Sequence, residues 1–252
     1  MSTLAAVPRS IWEMAGITEH LGGPEGTRRL LALCGMHPGE RVLDVGCGTG
    51  HTAVMLVRDY GVRLVALDCL AVNTAATRRR VDKQCLLRDP RVTRADGHNM
   101  PFADGEFDLV IAESVLAFCR AADVLAEFRR ILRPGGVVGL NEMTLLQSPP
   151  RELEEILQIT FGIHAQEANG WRRLLAEAGF DQLRDDVRRF SLREQARSHR
   201  QVDGLGGYVQ AMTKGLANLR LSRVFLSRTM LGAWRRFLPL IGYGLYAARR
   251  AP

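Results

Sequence analysis

Three aspartates that lie in or at the end of apolar runs could together recognise a nucleoside. Asp68 ends the run RLVALD, where a carboxylate can accept hydrogen bonds from both hydroxyls of a ribose. Asp96 ends RVTRAD, where a carboxylate can accept a hydrogen bond from an exocyclic amine such as that of adenine. Asp44 lies in RVLDV, just before a glycine-rich sequence at residues 46–50. These residue types predict a site for a ligand with one ribose and one adenine.

The sequence GCGTG, residues 46–50, predicts a tight turn from a strand into a helix. Its glycines let the backbone approach a ligand, and the following helix offers free N–H groups. A dinucleotide fingerprint, G-x-G-x-x-G, would need a third glycine where this chain has His51. No Lys-Ser or Lys-Thr pair follows the glycines, as a pyrophosphate loop would require. A ligand with a cationic centre and the charges of an amino acid fits better than a dinucleotide; a turn without a ligand is the alternative.

The elements that must position these residues alternate along the chain. Apolar, β-rich runs occur at residues 41–45, 63–68, 91–96, 107–113, 136–142, 180–190 and 243–250, with helical periodicity between most of them. This pattern predicts an α/β fold with a doubly wound, seven-stranded, mostly parallel sheet. We expect an N-terminal helical segment at 1–40, a core of 41–192 with 242–250, and a helical cap inserted at 193–241.

Several motifs occur in a fixed order: VLDVGCGTG (42–50), the strand-ending Asp68, ADGHNMPF (95–102), FDLVIAESVLAF (107–118) and ILRPGGVVGLNE (131–142). Together they resemble class I S-adenosylmethionine-dependent methyltransferases, in particular the type 11 branch that includes quinone-biosynthesis and small-molecule enzymes. The resemblance covers about residues 15–190. It implies a Rossmann-like fold, S-adenosylmethionine as cofactor, and methylation of a carbon, oxygen or nitrogen atom of a small-molecule acceptor, with apolar or aromatic metabolites as candidates.

The same resemblance implies roles for individual residues. The glycine turn would lie against the methionine part of the cofactor, Asp44 would orient its ammonium group, Asp68 would hold the ribose, and the residues after Asp96 would wall the adenine. The implied cofactor-binding residues are Asp44, Gly46, Cys47, Gly48, Gly50, Asp68, Cys69, Asp96, Gly97, His98 and Glu113. No metal site is predicted, because the five cysteines never form a C-x-x-C pair.

Methyl transfer from an activated sulfonium needs a base only if the acceptor must lose a proton. Glu142 and Glu113 are the candidate catalytic residues because both fall at strand ends. A buried charge there is costly unless it is paired or has a functional role. For Glu142 a salt bridge to a cap arginine is the alternative. The histidines at positions 98, 51, 20 and 164 are weaker candidates, more typical of a surface or of a cofactor wall.

The net charge of +7 is concentrated near the end of the chain. Residues 188–252 hold thirteen Arg or Lys and two acids, a local charge of +11 that leaves −4 for the rest. A nucleic-acid methyltransferase could use such a surface, but no nucleic-acid-binding motif accompanies it. A protein that binds S-adenosylmethionine without catalysis is the other alternative to a small-molecule methyltransferase.

Residues 216–241 mix apolar side chains with arginines, as a helix with one apolar and one cationic face would. Such a segment could cover the acceptor pocket as a lid, with Val224, Phe225, Met230 and Trp234 among the pocket residues. It could instead make peripheral contact with an anionic membrane. We favour the lid, because the segment returns directly into a sheet strand. The chain shows neither a signal-like start nor an apolar run long enough to span a membrane, which predicts a cytoplasmic protein.

Overall fold

A computed structural model describes residues 20–84, 90–191, 193–194, 197, 232 and 235–251. In this part of the chain eight strands form one sheet: β1 (Arg41–Val45), β2 (Arg63–Asp68), β3 (Arg91–Arg94), β4 (Phe107–Glu113), β5 (Leu132–Leu145), β6 (Gln166–Glu167), β7 (Phe180–Arg189) and β8 (Ile241–Arg250). The strand order is β3-β2-β1-β4-β5-β8-β7, with β6 paired to β5. Strands β1 to β5 run parallel, whereas β8 is antiparallel to both β5 and β7.

The predicted doubly wound, mostly parallel sheet is confirmed, but the predicted count of seven strands is one too low. The additional strand, β6, has two residues and pairs only with Thr144 and Leu145. Two residues are too few to produce the alternating apolar pattern by which a strand is recognised in a sequence. Strand β5 begins earlier and ends later than the run at 136–142 from which it was predicted.

Helices cover both faces of the sheet. They are α1 (Gly23–Cys34), α2 (His51–Tyr60), α3 (Ala71–Lys83), α4 (Ala121–Ile131), α5 (Arg151–Glu155) and α6 (Ala168–Glu177). Short helical turns follow β4 at Leu116–Phe118, continue α5 at Ile156–Thr160, and precede β8 at Leu238–Leu240. Glycines in the left-handed conformation flank α2: Gly50 precedes it with φ 84° and Gly61 follows it with φ 65°.

The two faces of the sheet bury separate apolar clusters. On one face Leu30 of α1 and Leu56 of α2 pack against alternate residues of the central strands. On the other face Phe128 of α4 and Trp171 of α6 pack against the intervening residues. Successive side chains of a strand point to opposite faces, so this division decides which strand-end side chains can meet.

Of the predicted cap, 193–241, the structure describes only a few positions before residue 235. The predicted acceptor-pocket residues Val224, Phe225, Met230 and Trp234 lie outside the described residues, so the cap stays a prediction. Residues 235–237 are helical, and Phe237 is buried in the cluster that contains Phe128. None of the helices described is long and apolar enough to cross a membrane.

Candidate active site

The glycine turn after β1 is anchored to the end of β2. The N–H groups of Gly46 and Cys47 both donate to the carbonyl oxygen of Leu67, at 2.7 and 3.0 Å. Gly46, Gly48 and Gly50 all have positive φ, a conformation that side chains other than glycine rarely adopt. A Cβ atom on Gly48 would meet only one atom within 4 Å, the carbonyl oxygen of Gly46 at 3.9 Å. The backbone at Gly48 therefore faces open space, as close approach to a ligand requires.

Helix α3 holds the outer side of this turn. Thr77, which is fully buried, donates its hydroxyl to the carbonyl oxygen of Gly48 at 2.9 Å. Arg80 donates Nε–H to the carbonyl oxygen of Thr49 at 2.8 Å. A Cβ on Gly50 would come within 2.9 Å of the Thr77 Cα, so the helix and the turn are in close contact. Neither Thr77 nor Arg80 was predicted from the sequence.

Asp68 ends β2 with its carboxylate beside the glycine turn. Its Oδ2 accepts from the Gly48 N–H at 3.0 Å and from the Asn73 side-chain amide at 3.0 Å, and its Oδ1 accepts from the Leu70 N–H at 2.8 Å. The side chain is buried. These bonds fix the carboxylate at the carboxyl end of β2 and connect it to the turn; Cys69 follows it in a half-buried position.

Asp96 and His98 form a separate pair beyond β3. Oδ1 of Asp96 accepts from the His98 backbone N–H at 3.0 Å and lies 2.8 Å from His98 Nδ1. The Asp96 side chain is 69% exposed, so it is accessible to a ligand. A Cβ on Gly97 would lie 3.8 Å from Val124 and 4.0 Å from Val45, which places this loop above the end of β1.

A cleft of about 540 Å³, including space open to solvent, lies between the N-terminal ends of α1 and α2 and the carboxyl ends of β1 and β4. Two carboxylates, Asp44 and Glu113, belong to its lining. The full lining is His20, Pro24, Thr27, Asp44, Gly46, Cys47, Gly48, Thr49, His51, Thr52, Met55 and Glu113.

Asp44 is 3% exposed, and its Oδ2 has no hydrogen-bond partner among the described residues. Burial, followed by the negative charges of Glu113 and Asp68, raises the pKa of Asp44 well above its ordinary value. A buried carboxyl oxygen without a donor is costly unless a ligand supplies one. A cationic group in the cleft would both donate to this oxygen and offset the negative charges of Glu113 and Asp68.

Glu113 accepts hydrogen bonds from three elements of the chain. Its carboxylate accepts from the hydroxyls of Thr27 on α1 and Thr52 on α2 at 3.0 Å, and from the Asn141 amide on β5 at 3.1 Å. Nδ1 of His20, which precedes α1, lies 3.3 Å from the same carboxylate. Glu113 therefore connects the segment before α1 to the sheet at the wall of the cleft.

Glu142 does not line the cleft. It is fully buried on the opposite face of β5 from Asn141, and its carboxylate accepts from the backbone N–H groups of Val115, Leu116 and Ala117 at 2.9, 2.8 and 3.3 Å. Burial raises the pKa of Glu142 to about 7, although these three hydrogen bonds act in the opposite direction. The alternative from the sequence, a salt bridge to a cap arginine, is not found among the described residues, where the carboxylate binds the backbone of the turn after β4.

The four candidate histidines are dispersed. His20 and His51 line the cleft, and His98 is bonded to Asp96. His164 lies beyond α5, where its backbone N–H donates to the carbonyl oxygen of Ala117 at 2.7 Å. Within the described residues no group of histidine, cysteine and acidic side chains could hold a metal ion, so none of these positions suggests a metal centre.

The fold and the cleft define an α/β protein of the class that binds a nucleoside cofactor at the carboxyl edge of a parallel sheet. A family model described as a methyltransferase domain matches residues 42–136. The uncharacterized methyltransferase YodH of Bacillus subtilis is 30% identical over 173 residues, which are 68% of this chain and 72% of that protein. The chain belongs to the S-adenosylmethionine-dependent methyltransferases, and S-adenosylmethionine is its cofactor.

Other comparisons extend over more of the chain. The 27-O-demethylrifamycin SV methyltransferase of Amycolatopsis mediterranei is 26% identical over 234 residues, 89% of this chain and 82% of that protein. The crystal structure of the [4+2]-cyclase SpnF aligns with a TM-score of 0.73 at 18% identity, over 99% of this chain and 96% of that chain. Because a fold supports several chemistries, the enzyme class rests on the sequence relatives. The predicted family, fold and cofactor are confirmed, and the nucleic-acid and non-catalytic alternatives gain no support.

Proposed function

We propose that this enzyme methylates a small molecule with an apolar or aromatic body, and that the cleft between α1, α2 and the glycine turn binds the methionine part of S-adenosylmethionine. The observation that carries the assignment of the cleft is the buried Asp44 oxygen, which has no donor among the described residues, close to a glycine turn whose backbone conformation other residues rarely adopt. An ammonium group supplies both a proton donor and a positive charge. The residues therefore fit the amino-acid end of this cofactor.

The remaining cofactor residues follow from their positions around the turn. Asp68, at the end of β2, accepts hydrogen bonds from the ribose hydroxyls, with its carboxylate oriented by Gly48 and Asn73. Asp96, with Gly97 and His98, meets the adenine, because its exposed carboxylate lies beyond β3 next to β2. These roles agree with those that the family resemblance implies.

S-adenosylmethionine supplies a methyl group on a sulfonium that is already activated for displacement. The protein's own residues then need to orient the acceptor and exclude water. Glu113 serves as a fixed negative charge at the wall of the cleft rather than as a base, because Thr27, Thr52 and Asn141 already donate to its oxygens. The opposite charges of Glu113 and a bound cation attract each other strongly in a partly buried site.

The apolar side chains after β4 and α5 support an apolar substrate. Half-buried apolar side chains follow the carboxyl end of β4 at Val115 and Phe118, and another, Ile156, begins the helical turn after α5. Ile159, in the helical turn after α5, is 76% exposed. A largely apolar surface of this kind is typical of a pocket for a hydrophobic ligand. The similarity to a methyltransferase that is named for demethylrifamycin, an organic small molecule, agrees with this substrate class.

Two measurements on the full chain test the proposal. Calorimetric titration with S-adenosylmethionine establishes cofactor binding, and transfer of a labelled methyl group is then followed with phenols, quinols, apolar alcohols, short amines and bulk RNA. We expect labelling of apolar or aromatic organic acceptors. Labelling of RNA, or of short polar amines alone, would contradict the proposed acceptor, and absence of cofactor binding would contradict the assignment of the cleft.

A further inference from the structure

The turn after β4 has an unusual backbone. Ser114 has a φ of 58°, the left-handed conformation that few residues other than glycine adopt, and its N–H donates to the Asn141 carbonyl oxygen at 2.7 Å. After Ser114 the three N–H groups of residues 115–117 point in one direction and converge on the Glu142 carboxylate. Successive N–H groups arranged in this way form an anion-binding concavity. Here the chain fills that concavity with its own carboxylate.

The same turn contacts the glycine turn. A Cβ atom on Gly46 would overlap the Cγ2 atom of Val115, so the Val115 side chain packs directly on the Gly46 backbone. Gly46 lines the cleft, whereas Glu142 is buried behind the turn and does not. Glu142 therefore affects the cleft through Val115, whose N–H it binds and whose side chain contacts the glycine turn.

We propose that Glu142 is a positioning residue for the cofactor: by binding residues 115–117 it holds Val115 against Gly46 and so fixes the glycine turn that receives the methionine part of S-adenosylmethionine. This inference rests on the proposed assignment of the cleft. It replaces the prediction from sequence that Glu142 is a base, since the carboxylate contacts backbone N–H groups and not the cleft.

Two substitutions separate these roles. Glu142→Gln retains one carbonyl oxygen that can accept the two short hydrogen bonds from Val115 and Leu116, and it loses the longer bond from Ala117, at 3.3 Å, because an amide nitrogen does not accept. Glu142→Leu has a similar volume and is compatible with burial, but it accepts no hydrogen bond. Glu177→Gln, on the exposed surface of α6, is the matched control for loss of a carboxylate.

We expect S-adenosylmethionine to bind Glu142→Gln and Glu177→Gln with an affinity within about threefold of wild type. Glu142→Leu should bind it about tenfold or more weakly, because a tenfold change corresponds to about 1.4 kcal/mol, the size of one net hydrogen bond. Turnover of Glu142→Gln at saturating cofactor should remain close to wild type. Affinity is measured by calorimetry below the thermal transition of each variant, as established by circular dichroism.

Wild-type cofactor affinity in folded Glu142→Leu would overturn the proposal. A large loss of turnover in Glu142→Gln with unchanged affinity would also overturn it and would favour a base. If Glu142→Leu does not fold, Val115→Ala provides the test, because it removes the contact with Gly46 and leaves the backbone hydrogen bonds; unchanged affinity in that variant would contradict the proposal. A wild-type protein that binds no cofactor would instead refute the assignment of the cleft.

Discussion

Three N–H donors of the protein orient the Asp68 carboxylate at the end of β2. We expect Asp68→Ala to weaken S-adenosylmethionine binding by about 1–3 kcal/mol, since it removes the acceptor of the ribose hydroxyls. Calorimetric titration measures the loss. Asp82→Ala, an exposed acid on α3, is the control. Unchanged affinity in a folded Asp68→Ala protein would contradict the ribose assignment.

The raised pKa of Glu142 predicts a pH dependence of stability. The folded protein binds this proton with a pKa of about 7, and the ordinary value is 4.5, so the folded state holds more protons between these two pH values. The contribution of Glu142 to the free energy of unfolding is therefore fully present below about pH 4.5 and is lost as the pH rises through 7.

Glu142→Gln removes this dependence. The free energy of unfolding of wild type minus that of Glu142→Gln should fall by on the order of 3 kcal/mol between pH 4.5 and 8. Urea unfolding of both proteins at a series of pH values gives this difference. Asp44, whose pKa is also raised, is present in both proteins, so its contribution cancels. A difference that does not change with pH would show that Glu142 titrates near its ordinary pKa.

The acids at the strand ends could be predicted from the sequence, but their partners could not. The partners depend on the face of the sheet to which each side chain points. Glu113 and Glu142 were predicted by the same argument, yet they point to opposite faces of the sheet, so one lines the cleft and the other binds a turn. The hydroxyl of Thr27 donates to Glu113 across 86 positions of sequence. A threonine inside a helix gives no local signal of such a partner.

Helix α3 supports the glycine turn through Thr77. The same helix contains a second threonine, Thr74, that serves as the control for a substitution of Thr77. Thr77→Val keeps the side-chain volume but removes the hydrogen bond to the Gly48 carbonyl oxygen, and it should lower the free energy of unfolding by about 1–3 kcal/mol. Thr74→Val, one turn earlier, removes only a bond to the Ala71 carbonyl oxygen within the same helix. Denaturant unfolding compares the two variants. Equal losses would show that the bond to the turn has no special role.

Many strands and helices could be located from the sequence because they bury apolar side chains in a regular pattern, as α4 does on one face and β4 along most of its length. The exceptions have physical reasons. Strand β6 is too short for a period to show, and α5 ends after five residues as the chain changes to the wider turn at Ile156–Thr160. The close packing of α3 on the glycine turn depends on its position beside α2, which a sequence pattern does not encode.

The last residues of the predicted cap, 235–241, contact the core of the protein. Phe237 is buried, and Arg236 forms an ion pair with Glu152 of α5 at 3.0 Å. The lid stays the prediction for this segment, and the membrane surface stays its alternative. We expect little co-sedimentation of the protein with anionic vesicles at 0.15 M salt, a condition under which exposed charges beyond ~8 Å are screened.

The corresponding control is the double substitution Arg235→Glu and Arg236→Glu. If the wild-type protein bound anionic vesicles strongly, and the double substitution or added salt abolished that binding, the membrane interpretation would replace the lid. Vesicles of neutral lipid distinguish an electrostatic attraction from simple partition of apolar side chains.

Strand β8 lies between β5 and β7 in the sheet, although residues 190–240 separate β7 from β8 in the chain. A ribosome that adds ~5–20 residues per second therefore exposes β7 for seconds before its partner has been made. During that interval β7 presents FDQLRDDVRR, in which charges of both signs interrupt the apolar side chains. Charged strands pair poorly with strands of other chains. We therefore expect the acids and arginines of β7 to lower the tendency of the nascent protein to aggregate before β8 completes the sheet.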